Sequence, residues 1–167
     1  PFFGESGGQI GDKGSLYSDK FVFAVSNTTK IFGSFFLHWG KVVKGTVNIG
    51  DQVAASINAK KRNLICNNHS TTHLLHESLR QILGNHVTQK GSLVNDEKLR
   101  FDFSHNDPID NIDLEKIEKI VNKIILQKSS VTTEILNQKS AINEGAIALF
   151  GEKYEDEVRV ITMGTNS

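Results

Sequence analysis

A chain of 167 residues, 38% of them hydrophobic, can bury one or two modest cores but is too short for a large multidomain enzyme. Nineteen Lys and Arg side chains balance nineteen Asp and Glu, so no global field draws the chain to nucleic acid or anionic lipid, and any RNA contact must be local. Cys66 is the only cysteine, which excludes an internal disulfide, and no apolar run reaches membrane-spanning length, so a soluble protein with a cytoplasmic address is expected. The sequence opens at Pro1 and holds its sole methionine at position 163, so it reads as a piece of a longer polypeptide.

From residue 1 to about residue 57 the pattern is β. Alternation through Lys20, Phe21, Val22, Phe23, Ala24 and Val25, and again from Phe32 to Trp39, fits half-buried strands, and glycines at 7, 8, 11, 45 and 50 mark turns. Short strands joined this way suggest a small barrel or curled sheet over residues 1–57. Past Asn58 the period changes. At about 100° per residue, Leu64, Ile65, Thr72, Leu75, Leu79, Ile82 and Leu83 share one arc of a helix, and His69, His73 and His76 fall on the adjoining arc. Gly84 and Asn85 stop that helix. Two strands are predicted over 87–94 and 99–104, turning at Asn95 and Asp96. A second amphipathic helix runs through Leu114, Ile117, Ile120, Val121, Ile124 and Ile125, with Glu115 and Lys119 as an i,i+4 pair. A strand over 131–136, a short helix over 140–149 and a final strand over 158–162 complete the pattern. The fold class is therefore α+β, with a β-barrel-like subdomain over 1–57 and a core of mostly antiparallel sheet and helices over 58–167.

The stretch NHSTTHLLH carries the chemistry. His69 and His73, four apart on a helix, project from one face and could share a metal ion; the same spacing also suits the polar flank of an ordinary helix. Cys66, His69, His73 and His76 are strung too far along a rise of about 1.5 Å per residue to surround one ion together. Ser70, Thr71 and Thr72 occupy the interval where a zinc peptidase needs a glutamate base, which argues against that class. Lys60, Lys61 and Arg62 either touch a phosphate backbone or simply solvate a helix start.

The run NHSTTHLLHESLRQILGNHVTQKGSLVNDEKLRFDFSHN closely resembles the editing domain of bacterial alanyl-tRNA synthetases, class II aminoacyl-tRNA synthetases. ESGGQIGDKG resembles the glycine-rich motif that opens that domain, and GAIALFGEKYEDEVRVITMG resembles its later segment. The resemblance implies hydrolysis of the ester joining a wrong amino acid, serine or glycine, to the tRNA for alanine. An apolar pocket rejects an added hydroxyl poorly, so a second site that hydrogen-bonds that hydroxyl selects the error.

By resemblance, Thr72 senses the hydroxyl and Gln89 belongs to the editing pocket; these two are the expected catalytic residues. Gly7 and Gly8 face the pocket as substrate-binding residues, and His69 and His73 are zinc ligands. The family completes its zinc shell with a Cys-Gly-Gly-Thr-His motif that this sequence does not contain, and Cys66 is misplaced to substitute. Zinc is thus expected in the parent enzyme and weakly or not at all in this piece. The implied partners are the tRNA for alanine carrying serine or glycine, and the aminoacylation and C-terminal domains of the parent ATP-dependent synthetase, with no membrane. The competing expectation is a non-catalytic tRNA-binding or positioning fragment.

Overall fold

The structure, a computed structural model, describes residues 1–146 and 156–163. The glycine-bounded apolar runs become β1 (Gly14–Tyr17), β2 (Phe21–Ile31), β3 (Phe35–Gly45) and β4 (Ala54–Ile57), one antiparallel sheet of order β3-β2-β1-β4. Phe21, Val25 and Thr28 turn inward on β2 and are buried. The β2–β3 ladder is shifted twice. Ser26 is the extra residue on β2 and Val43 the extra residue on β3, and such bulges bend and twist a long hairpin. Among the described residues no ladder is recorded between β3 and β4, so the expected barrel is represented here by an antiparallel sheet within an α+β fold.

The segment before β1 is tied down by backbone and carboxylate bonds. Glu5 N–H donates to Thr28 O (2.9 Å) and Asp12 N–H to Phe3 O (2.9 Å), while Phe3 N–H donates to Asp12 Oδ2 (2.7 Å). Thr28 Oγ1 in turn donates to Asp12 O (3.0 Å). Asp12 is buried, and burying a carboxylate requires a partner. Arg62 supplies it with a two-point grip, Nε donating to Oδ1 at 2.8 Å and Nη2 to Oδ2.

The long helix α1 (Ala59–Leu83) starts where the sequence places the change of period. Asn58 Oδ1 accepts from Lys61 N–H (3.1 Å) at its start, and Gly84 N–H closes the last turn on Arg80 O (2.9 Å). Its buried residues are Ile65, Thr72, His76, Ser78 and Leu79. Leu64, expected on the buried arc, is exposed, and His76, expected at the edge, is buried. Polar residues can occupy buried positions because their groups are paired. Thr72 Oγ1 donates to Asn68 O (2.9 Å), Ser78 Oγ to Leu74 O (2.8 Å), and His76 Nε2 lies 3.4 Å from Val87 O. The basic run at the helix start is partly spent within the protein. Lys61 meets Asp96 at 2.5 Å, a contact that raises the lysine pKa and lowers that of the carboxylate, and Arg62 is committed to Asp12.

Strands β5 (Gln89–Val94) and β6 (Leu99–Phe103) pair, with Asn95 Oδ1 accepting from the Glu97 and Lys98 amides in the connecting turn (2.8 Å each). Helix α2 (Asn111–Gln127) is capped by Asp110, whose Oδ1 accepts from Asp113 N–H at 2.7 Å, and carries the Glu115–Lys119 pair at 3.6 Å. β7 (Val131–Asn137) and β8 (Glu157–Met163) form an antiparallel pair, with α3 (Gln138–Asn143) following β7. The helix expected over 140–149 ends at Asn143, ahead of Gly145 with φ 89°; positions 147–149 lie outside the described residues.

Packing divides the chain into two compact units. One takes Pro1–His73 and Gly91–Asp102; the other takes Leu74–Lys90 and the described residues from Phe103 onward. Phe2, Phe21, Val25, Ile65 and Val94 are the buried apolar residues of the first, and Leu79, Val87, Ile117 and Ala141 those of the second. No helix among the described residues is long and apolar enough to cross a membrane.

Candidate functional site

The site lies in the first unit and is built on a two-glycine turn. Ser6 and Gln9 exchange backbone hydrogen bonds (3.2 and 3.0 Å) across Gly7 and Gly8, whose φ values are +58° and +80°. Positive φ at both central positions belongs to the tight hairpin turn that side chains other than glycine resist. Gly8 is fixed twice over, since a Cβ there would overlap the Ser92 carbonyl. That close approach lets Val94 N–H reach Gly8 O (2.8 Å) and Ile10 N–H reach Val94 O (3.1 Å), so the residue between them, Gln9, bridges to β5.

The turn aims Gln9 at the helix. Gln9 is buried, and its Oε1 lies 2.7 Å from His69 Nδ1. With a carbonyl oxygen as acceptor, Nδ1 carries the proton and Nε2 keeps its lone pair, the tautomer that can ligate a metal or take a proton. Burial pushes the His69 pKa below its ordinary 6.5, which also favours the neutral ring. One turn further on, the His73 ring stacks on that of His69, with centroids 5.2 Å apart and planes 19° from parallel. Thr72, between them, is 4% exposed. Its hydroxyl proton is spent on Asn68 O, so its oxygen offers acceptor capacity only. Asn68 Nδ2 donates to Asn95 O (2.9 Å), which anchors this helical turn to the β5–β6 turn.

The burial of His69 has a measurable consequence in metal-free protein. The unfolded chain takes up a proton near pH 6.5 while folded His69 resists it, so stability falls as pH drops through that value and levels off below the folded pKa. Thermal melts of chelator-treated protein from neutral pH to about pH 5 should show a steeper loss for the wild type than for His69→Gln. Equal slopes would contradict the buried neutral ring.

Of the residues singled out in the sequence, His69, Thr72, His73, Gly7 and Gly8 belong to this one unit, and Gly7 and Gly8 form the turn that delivers Gln9. Gln89 is the first residue of β5 and is grouped by packing with the other unit. Gln9 itself was missed by sequence reasoning, although its place directly after two glycines was a usable signal. As a metal centre the pair offers two imidazole donors. The Gln9 bond orients one imidazole as a ligand needs, but among the described residues no third His, Cys, Asp or Glu gathers with the pair.

Comparison with known proteins bears on this geometry. The family model described as tRNA synthetases class II (A) matches residues 1–61. Over 165 residues, 99% of this chain, it is 52% identical to the alanine-tRNA ligase of Mesorhizobium japonicum, and over 164 residues it is 51% identical to that of a Chelativorans species. The chain is similar over nearly its whole length to a part of alanine-tRNA ligases. It spans 19% and 18% of the length of those two relatives. The similarity to alanine-tRNA ligases takes in the glycine turn, the histidine helix and the β5–β6 hairpin alike, so the contact between Gln9 and His69 is made wholly within the matched region.

Proposed function

We propose that this part of an alanine-tRNA ligase is its proofreading site, hydrolysing the ester of the tRNA for alanine when it carries serine or glycine. The observation that carries the reading is the 2.7 Å contact between His69 Nδ1 and Oε1 of buried Gln9, on the helical turn that also carries buried Thr72. Alanine lacks a hydroxyl. The Thr72 oxygen, its own proton committed to Asn68 O, accepts the proton of a serine hydroxyl and offers nothing comparable to a methyl group, which favours the wrong amino acid at this site. His69 and His73 would hold zinc in the complete enzyme, together with ligands from the family's Cys-Gly-Gly-Thr-His motif. When bound, the metal would supply a positive charge to polarise the ester or hold the amino group. Gln9 fixes the ring of one ligand, and Gln89 is proposed as a further pocket residue.

The test is a deacylation assay in the full-length synthetase with serine-charged tRNA for alanine. His69→Ala should lower the rate at least about a hundredfold, and Gln9→Ala, which only frees the ring, by roughly ten- to a hundredfold. Thr72→Val should narrow the preference for serine over alanine esters. Unchanged hydrolysis in His69→Ala would remove the assignment.

A further inference from the structure

The outer face of the β2–β3 hairpin has an unusual make-up. Thr28, Val25 and Phe21 point inward, so Ile31, Thr29 and Asn27, with their cross-strand partners Phe35, Leu37 and Trp39, form the opposite face. Phe35 is 65% and Trp39 54% exposed. Trp39 Nε1 donates to Thr29 Oγ1 at 3.0 Å, which pins the indole on that face. Past the Ser26 bulge the pairs Ala24–Lys41 and Val22–Lys44 return two lysines to the same side. At the tip, Phe32 is 91% exposed and held at φ +48° beside Gly33 at +75°. A bulky residue in the left-handed region costs energy that only the surroundings or a function can justify, and this one is turned into solvent.

Charge decides what such a face fits. Lys41 and Lys44 stand on this face, and from Lys20 to Gly50 the chain carries no acidic residue to compensate them. A protein interface would also use exposed aromatic rings, but it is depleted in lysine, so the uncompensated lysines point to a polyanion. Exposed aromatic rings interleaved with lysines on a sheet match unpaired nucleotides, whose bases stack and whose phosphates need cations. We propose that this face is an RNA-stacking platform, Phe32, Phe35 and Trp39 receiving the bases and Lys41 and Lys44 the phosphates of an unpaired strand. Similarity to part of alanine-tRNA ligases makes an RNA partner reasonable; the deacylation chemistry is not required for it.

Trp39 is the sole tryptophan, so its emission reports on this face alone. The 167-residue chain is titrated with a short RNA hairpin bearing a single-stranded 3′ tail and with a blunt hairpin of the same stem. The tailed RNA should quench Trp39 and the blunt one should not. With labelled tailed RNA, Lys41→Glu with Lys44→Glu should weaken binding about tenfold or more and reduce the slope of log affinity against log salt by about 1.4. Trp39→Ala should cost roughly tenfold while Trp39→Phe retains binding, with unchanged melting temperatures as the folding control. Lys123→Glu, on α2, should bind RNA like the wild type, and the use of uncharged RNA separates this proposal from the proofreading reading. Absence of quenching, or lysine variants that bind RNA as the parent does, would overturn it. So would protection of Trp39 from hydroxyl-radical labelling in the RNA-free full-length synthetase, because the face would then be a protein interface.

Discussion

Replacing Arg62 with alanine should destabilise the protein by about 3 kcal/mol, the lower end of the roughly 3–5 kcal/mol that follows removal of one partner from a buried ion pair. Asp12 has almost no access to water, accepts from the Phe3 amide, and sits beside the Thr28 hydroxyl contact, so its charge is left with one neutral donor when the guanidinium goes. The lower end applies because Arg62 keeps 26% of its side chain in water. Urea unfolding checks this as a lower midpoint at unchanged slope. Lys61→Ala, which breaks a pair whose lysine is 41% exposed and whose Asp96 stays in reach of water, should lower the midpoint far less. If the two variants behaved alike, the anchoring role of Arg62 would be wrong.

The second large effect is expected at the glycine turn. Gly8→Ala forces a Cβ onto the Ser92 carbonyl and holds alanine at φ +80°, so about 1–3 kcal/mol of backbone strain is joined by a clash that must part the turn from β5. Gly7→Ala meets nothing within 4 Å and carries only the cost of its φ of +58°, about 1 kcal/mol. The two variants therefore separate space from conformation. Because Gln9 follows directly, Gly8→Ala should also release His69, seen as a rise of the His69 pKa toward its ordinary value in a proton NMR titration. A His69 titration indifferent to Gly8→Ala would mean that the turn does not place Gln9.

What could be read from the sequence was whatever depends on local period. The strand through Phe21–Val25, the hairpin turning at Asn95 and the second helix follow from apolar spacing and turn residues and occur where that spacing puts them, whereas the strand expected from Phe32 to Trp39 is displaced, Phe32 and Gly33 forming the turn and β3 running Phe35–Gly45 with nearly every residue exposed. The orientation of α1 was only partly legible. The wheel assigned Leu64 to the interior and His76 to the rim, because it weighs side chains by polarity and cannot see that Val87 O would meet His76. The two bulges, each a single inserted residue among acceptable strand formers, leave no periodic trace. Long-range pairs were illegible for the same reason. Asp12 and Arg62 are 50 positions apart, Gln9 and His69 are 60 apart, and nothing in either neighbourhood names the other. The site histidines were found through spacing and resemblance, whereas the glutamine that orients the His69 ring needed coordinates.

Strand β3 is an edge strand eleven residues long, and among the described residues its outer backbone groups meet no further strand. Such a margin is a template for cross-β stacking between molecules, the more so with Phe35, Leu37 and Trp39 along it. Lys41, Lys44 and the kink at Val43 act as gatekeepers against that outcome. Colloidal behaviour in concentrated solution thus depends on the same two ammonium groups, and neutralising them by acetylation would favour fibrils.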